Sequence, residues 1–208
     1  MHLIFDFDGT IVDSFPTVIE TFNILADKYN FQKIPLDEVA VLRDLSSRQL
    51  INHLKIPMYK IPWVLYQARK QMYDEMPRLA SFANLPEVLQ KLYNANFSLG
   101  ILTSNSLENV STWLDMNGMT HLFRFIDAKS TYFGKSRLIK KTLKRYAINK
   151  TKTFYIGDET RDIDAAKQNG IYSIAVTWGF NSEKILSQHN PHYIARQPAD
   201  ILKICGLP

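Results

Sequence analysis

The chain has 208 residues, of which 46% are hydrophobic and 22% charged, and it carries a formal net charge of +5. That is the make-up of an ordinary globular protein, long enough to bury a full core in one compact unit with room for an insertion. The apolar runs are short and broken by charge, and the N-terminus lacks a basic region ahead of a long apolar run, so the expectation is a cytoplasmic protein with no membrane partner.

In chain order, residues 2–7 form a short apolar run ending in acid and glycine, the pattern of a buried parallel strand that opens onto a loop. Residues 15–82 then carry only helical patterns, at 17–29, around 46–54 and at 60–76, punctuated by Pro35, Pro57, Pro62 and Pro77. Tyr59, Trp63, Tyr66 and Tyr73 fall close to one helical face, which reads as the core of a helical bundle or as the lining of a substrate pocket. Strand-like runs resume at 97–102 and recur at 123–126, 153–156, 173–177 and 192–195. Helical spacing lies between them, with Ser106 as an N-cap and Gly118 and Gly170 as stops. Strand alternating with helix implies an α/β fold whose parallel sheet is covered on both faces, interrupted after its first strand by an all-helical insertion.

Residues 129–152 contain nine Lys or Arg and no acid. On a helix, Arg137, Lys140, Lys141 and Lys144 share one stripe, opposite Leu138, Ile139, Thr142, Leu143 and Tyr146. This reads first as a solvated face and second as a field that steers an anionic substrate; aromatic interleaving is sparse, so nucleic acid is not an expected partner. The single cysteine, Cys205, excludes an intramolecular disulfide and a cysteine metal cluster, and is expected to pack near the C-terminus.

Chemistry concentrates where strand-like runs end. Asp6-Phe7-Asp8-Gly9-Thr10 places two carboxylates two residues apart on one side of an extended strand end. Two acids so close repel, which makes sense if a cation sits between them or if one stays protonated long enough to donate a proton. An EF-hand calcium loop is ruled out, because Ile11, Val12 and Ser14 do not supply its further ligands. Gly157-Asp158-Glu159-Thr160-Arg161-Asp162 is a second acidic loop after an apolar run. Asp158 reads as an N-cap or as a metal ligand, and Asp158 and Asp162 share a face if a helix has begun. Ligands collect at the carboxyl ends of parallel strands, so the two acidic loops can converge on one crevice, with the one or two carboxylates that Mg²⁺ takes from a protein. Thr103, Ser104 and Asn105 offer hydroxyls and N–H groups ahead of a helix, a suitable anion cradle, and Lys135 offers a fixed cation. Gly134-Lys135-Ser136 is not the end of a P-loop, which needs glycine where Lys129 stands.

The string DFDGTIVDS, the hydrophobic run ending ILTSN, the single lysine and GDETRD, in that order, resemble the four motifs of the haloacid-dehalogenase superfamily, and the resemblance spans nearly the whole chain. With Val176-Thr177-Trp178-Gly179-Phe180 it is most similar to the phosphoglycolate-phosphatase-like members. The resemblance implies a Rossmann-like core at residues 1–14 and 83–208 and a helical cap domain at 15–82. It implies a Mg²⁺-dependent phosphatase of small phosphorylated metabolites, with Asp6 as nucleophile through an aspartyl-phosphate and Asp8 as acid and base. The metal would be held by the Asp6 carboxylate, the Asp8 main-chain carbonyl and Asp158, with Asp162 toward metal-bound water. Thr103, Ser104 and Lys135 would bind the phosphoryl oxygens. The alternatives are a phosphomutase of the same fold, which usually shows a bulkier residue than Thr10, or a catalytically idle binding module; the protein would be a monomer or homodimer. In the cap, Arg43 is a candidate substrate contact, with a surface or interdomain ion pair as its other reading. Asp44 replaces the usual glycine, so a carboxylate near the pocket is expected there.

Overall fold

The computed structural model describes residues 1–128 and 134–208. Six parallel strands, β1 (His2–Phe5), β2 (Ser98–Thr103), β3 (Phe123–Ala128), β4 (Thr153–Gly157), β5 (Tyr172–Val176) and β6 (Tyr193–Ala195), form one sheet in the order β3-β2-β1-β4-β5-β6. All six expected strand runs are therefore strands. They read as nearly continuous apolar runs because a parallel sheet is buried on both faces.

Side chains alternate across β1. Leu3 and Phe5 point into one core layer with Leu89 and Leu92 of α5 (Leu85–Asn94) and Trp113 of α6 (Leu107–Met116). Ile4 points into the other, with Ile139 and Leu143 of α7 (Lys135–Arg145) and Ala165 and Ala166 of α8 (Thr160–Asn169). Short helices at Glu183–Gln188 and Pro198–Ile204 complete the cover, and Cys205 is buried in the first layer as expected. Ser106 caps α6 by accepting the Asn109 N–H, and Gly170 ends α8 in the left-handed conformation. On α7 the basic stripe is exposed while Ile139, Thr142 and Leu143 are buried, so it is a solvated face; Lys129 lies outside the described residues.

Between β1 and β2 the chain forms only helices, chiefly Phe15–Tyr29, Ser47–His53 and Ile61–Glu75. Ile34, Leu42 and Leu54 make a small apolar cluster there, apart from the two sheet layers. The aromatic stripe departs from expectation. Tyr59 is 80% and Tyr66 61% exposed, and Trp63 and Tyr73 are about as exposed as buried, so these rings face outward rather than forming a bundle core or a pocket lining. The helix turns its other face, with Ile61, Val64 and Met72, inward. No helix among the described residues is long and apolar enough to cross a membrane.

Candidate active site

The sheet order reverses at β1, which has β2 on one side and β4 on the other, and such a switch point opens a crevice at the carboxyl ends of the strands. Asp6 follows β1 directly, and its N–H extends the ladder to the Ile156 carbonyl (2.8 Å). Its Oδ1 accepts the Phe7 N–H (2.8 Å) and its Oδ2 the Lys135 ammonium (2.5 Å). Lys135 opens α7 and bonds Asp162 Oδ1 as well, with its Nζ over the Tyr155 ring. Burial alone would lower the lysine's pKa; Asp162 and Asp6 outweigh it and hold it above its usual value.

Asp158 follows β4 and is fully buried. Its Oδ1 accepts from Thr10 Oγ1 (2.7 Å) and its Oδ2 from the Phe180 N–H (2.7 Å). The N-cap role goes instead to Glu159, in a reciprocal capping box with Asp162, so Asp158 stands just before the helix and does not share a helical face with Asp162. One carboxylate oxygen from each of Asp6, Asp158 and Asp162 nevertheless falls within 4.8 Å of the others, a group that could hold a metal ion. Burial, then Glu159 and Asp162, pushes the Asp158 carboxyl well above the usual carboxylate range. Burial raises Asp162 to about 6 against the pull of Lys135. Buried, mutually repelling oxygens are a hard donor set that suits a small divalent cation.

The approach of the loops depends on missing side chains. A Cβ on Gly179 would lie 2.2 Å from the Gly9 carbonyl oxygen and 2.3 Å from Asp158 Oδ2, and Gly9 itself has φ +72°. Phe180, Gly179 and Asn181, whose Oδ1 accepts the Thr160 N–H, hold Asp158 and the start of α8 in place. Sequence reasoning gave this loop no role at the site; the signal available was Trp178-Gly179-Phe180-Asn181 directly after an apolar strand.

Asp8 stands apart from the carboxylate trio. Its Oδ2 accepts from Asn105 Nδ2 (2.9 Å), and Asn105 Oδ1 is fixed in turn by the Ser106 N–H and Asn109 Nδ2. Asp8 Oδ1 is buried without a hydrogen-bond partner among the described residues. Burial first, and the Asp6 charge second, raise Asp8 to about 6. Thr103 is buried, with its hydroxyl accepting the Asn105 N–H (3.0 Å), and Ser104 lines a cavity that Asp8 and Asn105 also line.

Arg43 lines the same cavity, yet donates from Nε and Nη2 to the carbonyls of Phe180, Thr177 and Gly179 (3.3, 3.3 and 2.8 Å). It ties the helical insertion to the loop that supports Asp158 by bonds to the backbone, and among the described residues it makes no ion pair. Asp44 bonds Ser182 Oγ and Lys184 Nζ, so its carboxylate belongs to the same tie and does not line the cavity.

The family profile described as haloacid dehalogenase-like hydrolase matches residues 3–176. The chain is 34% identical over 201 residues to a phosphoglycolate phosphatase of Synechococcus elongatus, covering 97% of this chain and 95% of that protein. It is 22% identical to pyrophosphatase PpaX of Oceanobacillus iheyensis, covering 98% and 96%. A haloacid dehalogenase-like family hydrolase from Streptococcus pneumoniae superposes with a TM-score of 0.83 at 21% identity, covering 98% and 97%. A carboxylate–lysine cluster at the switch point of a sheet of this order, together with a match over most of its length, means that the chain belongs to the haloacid dehalogenase-like hydrolases.

Proposed function

We propose that the protein is a Mg²⁺-dependent phosphatase that hydrolyses a small phosphorylated metabolite through a phosphorylated Asp6. The observation that carries this reading is the contrast between two neighbouring acids: Asp6 is paired with Lys135, while Asp8 is held by Asn105 and raised to about 6. Asp6 is oriented as a nucleophile beside its lysine, and Asp8 is poised to carry a proton near neutral pH. The phosphatase names of the relatives support the same reading.

Asp6 attacks the phosphorus in line, forming an O–P bond as the bond to the leaving oxygen breaks, and Asp8 gives that oxygen a proton. Water then attacks the aspartyl-phosphate. Asp8 takes a proton from the water, the bond from phosphorus to Asp6 breaks, and inorganic phosphate leaves with the Asp6 carboxylate restored. Thr103 and Ser104 bind phosphoryl oxygens, and Lys135 cancels charge around Asp6 as the phosphate approaches. Asp6, Asp158, Asp162 and the Asp8 carbonyl would hold Mg²⁺, which would supply positive charge to the transferring phosphoryl group. Residues 15–82 form the cap domain over a core of residues 1–14 and 83–208, with Arg43 beside the substrate's distal part.

Phosphate release from a panel of phosphomonoesters, with Mg²⁺ and with a chelator, tests this. The expected result is Mg²⁺-dependent turnover that falls by on the order of 10³-fold or more in Asp6→Asn. Turnover by Asp6→Asn equal to wild type would sink the mechanism.

A further inference from the structure

The cavity that begins at Asp8, Ser104 and Asn105 does not stop at the acidic cluster. It continues into the helical insertion, has a volume of about 250 Å³, and is walled by Val18, Phe22, Leu45, Leu50, Ile56 and Val64 among others. Ligand pockets run from roughly 300 Å³ upward, so this space falls just short of that range and suits only a small molecule. Protein interiors close-pack without voids much larger than a water molecule. An apolar space of this size, opening on the residue that would protonate the leaving group, is therefore shaped for an occupant.

Its polarity is distributed unevenly. The charged groups among the described lining residues are Asp8, Arg43, Glu159 and Arg161. Arg43 has Nε and Nη2 on backbone carbonyls, and Arg161 Nη2 is on Glu159 Oε1, so the lining's cations are engaged by the protein itself. Asp44, the substitution that would have put a carboxylate near the pocket, is turned to Ser182 and Lys184. Apart from the Thr21 hydroxyl, the walls contributed by the insertion's helices offer apolar area, and Ser104, Asn105 and Asn181 lie at the core end of the cavity. A second anionic group, or a run of hydroxyls, would lose more water in the insertion than one threonine could replace.

We propose that the preferred substrates are phosphomonoesters of apolar alcohols, the phosphate lying at Asp6 and the hydrocarbon body filling the cavity of the insertion. This rests on the phosphatase reading given above. It narrows that reading to a leaving group unlike the small, highly charged ones suggested by the names of the chain's relatives.

The test uses alkyl monoesters of similar intrinsic reactivity: ethyl, n-butyl and n-hexyl phosphate, beside glycerol phosphate and 2-phosphoglycolate, each with Mg²⁺ and the full-length chain. Each buried methylene is worth up to about fourfold in kcat/KM, so n-hexyl phosphate should exceed ethyl phosphate by at least roughly tenfold and should also exceed both polar esters. In Leu50→Gln, which places an amide in the wall, the ratio of n-hexyl to ethyl turnover should fall several-fold; a ratio equal to wild type counts against the cavity as the binding place. Preference for glycerol phosphate or 2-phosphoglycolate, or no rise along the alkyl series, overturns this inference and leaves the phosphatase reading standing. No turnover of any ester by folded protein overturns both.

Discussion

The crevice at the strand ends and the cavity in the helical insertion are built from opposite materials. In the crevice Asp6, Asp158, Asp162 and Lys135 are almost wholly buried and every charge is held by another charge, a hydroxyl or a backbone N–H. In the insertion the walls are aliphatic and aromatic, and several, including Val18, Phe22, Leu45 and Leu50, are only half-buried. The first region is rigid because its groups are costly to leave unpaired; the second is adaptable because apolar contacts have no direction. On the function proposed above, chemistry in the first and selectivity in the second would vary independently.

The largest expected effect tests the crevice. Lys135→Met leaves Asp6 and Asp162 buried without their cation, and stability should fall by about 3–5 kcal/mol, as is usual when one partner of a buried ion pair is removed. Denaturant melts in chelator measure it, and a loss below about 1 kcal/mol would mean that the pair is not as buried as described. Leu89→Ala in the sheet core should cost about 2–5 kcal/mol, whereas Leu50→Ala, which only widens an existing space, should cost under about 1 kcal/mol. Equal costs would erase the distinction between the two regions.

A smaller effect separates the two acids of the first motif. Asp8 is raised to about 6 in the folded protein, so between the ordinary carboxylate pKa of 3.8 and about 6 the folded state binds more protons than the unfolded one. Its contribution to stability is therefore greatest below that window and declines as pH rises through it. Asp8→Asn should remove that decline and be more stable than wild type at pH 8, by about 1–3 kcal/mol, while losing activity. Thermal melts of the metal-free proteins at pH 5 and pH 8 check the sign; a wild type that gains stability from Asp8 as pH rises would contradict the burial described.

Much of the site could be read without coordinates because its residues sit in short contiguous strings. DFDGT and GDETRD each follow an apolar strand run, and a parallel sheet sends such strand ends to one edge. The partners of those acids were less legible. Thr10 reaches Asp158 across 148 positions with no local pattern to announce it, and Phe180 reaches it across 22, marked only by a Trp-Gly-Phe-Asn string after an apolar strand. The aromatic stripe failed for a related reason. Periodicity showed that Tyr59, Trp63, Tyr66 and Tyr73 share a face, but not which way that face turns, and the opposite face with Val64 and Met72 is the one packed inward.

The sequence by itself determined the alternation of strand and helix, the place of the insertion, and the acids and lysine at the strand ends, because each is written in local spacing. Tertiary structure alone decided which acid lies beside Lys135 and which beside Asn105, and that Arg43 and Asp44 bind the supporting loop. It also decided that the insertion encloses an apolar space against Asp8. Those outcomes depend on how distant segments pack, and close packing is a property of the assembled whole that no short window of sequence contains.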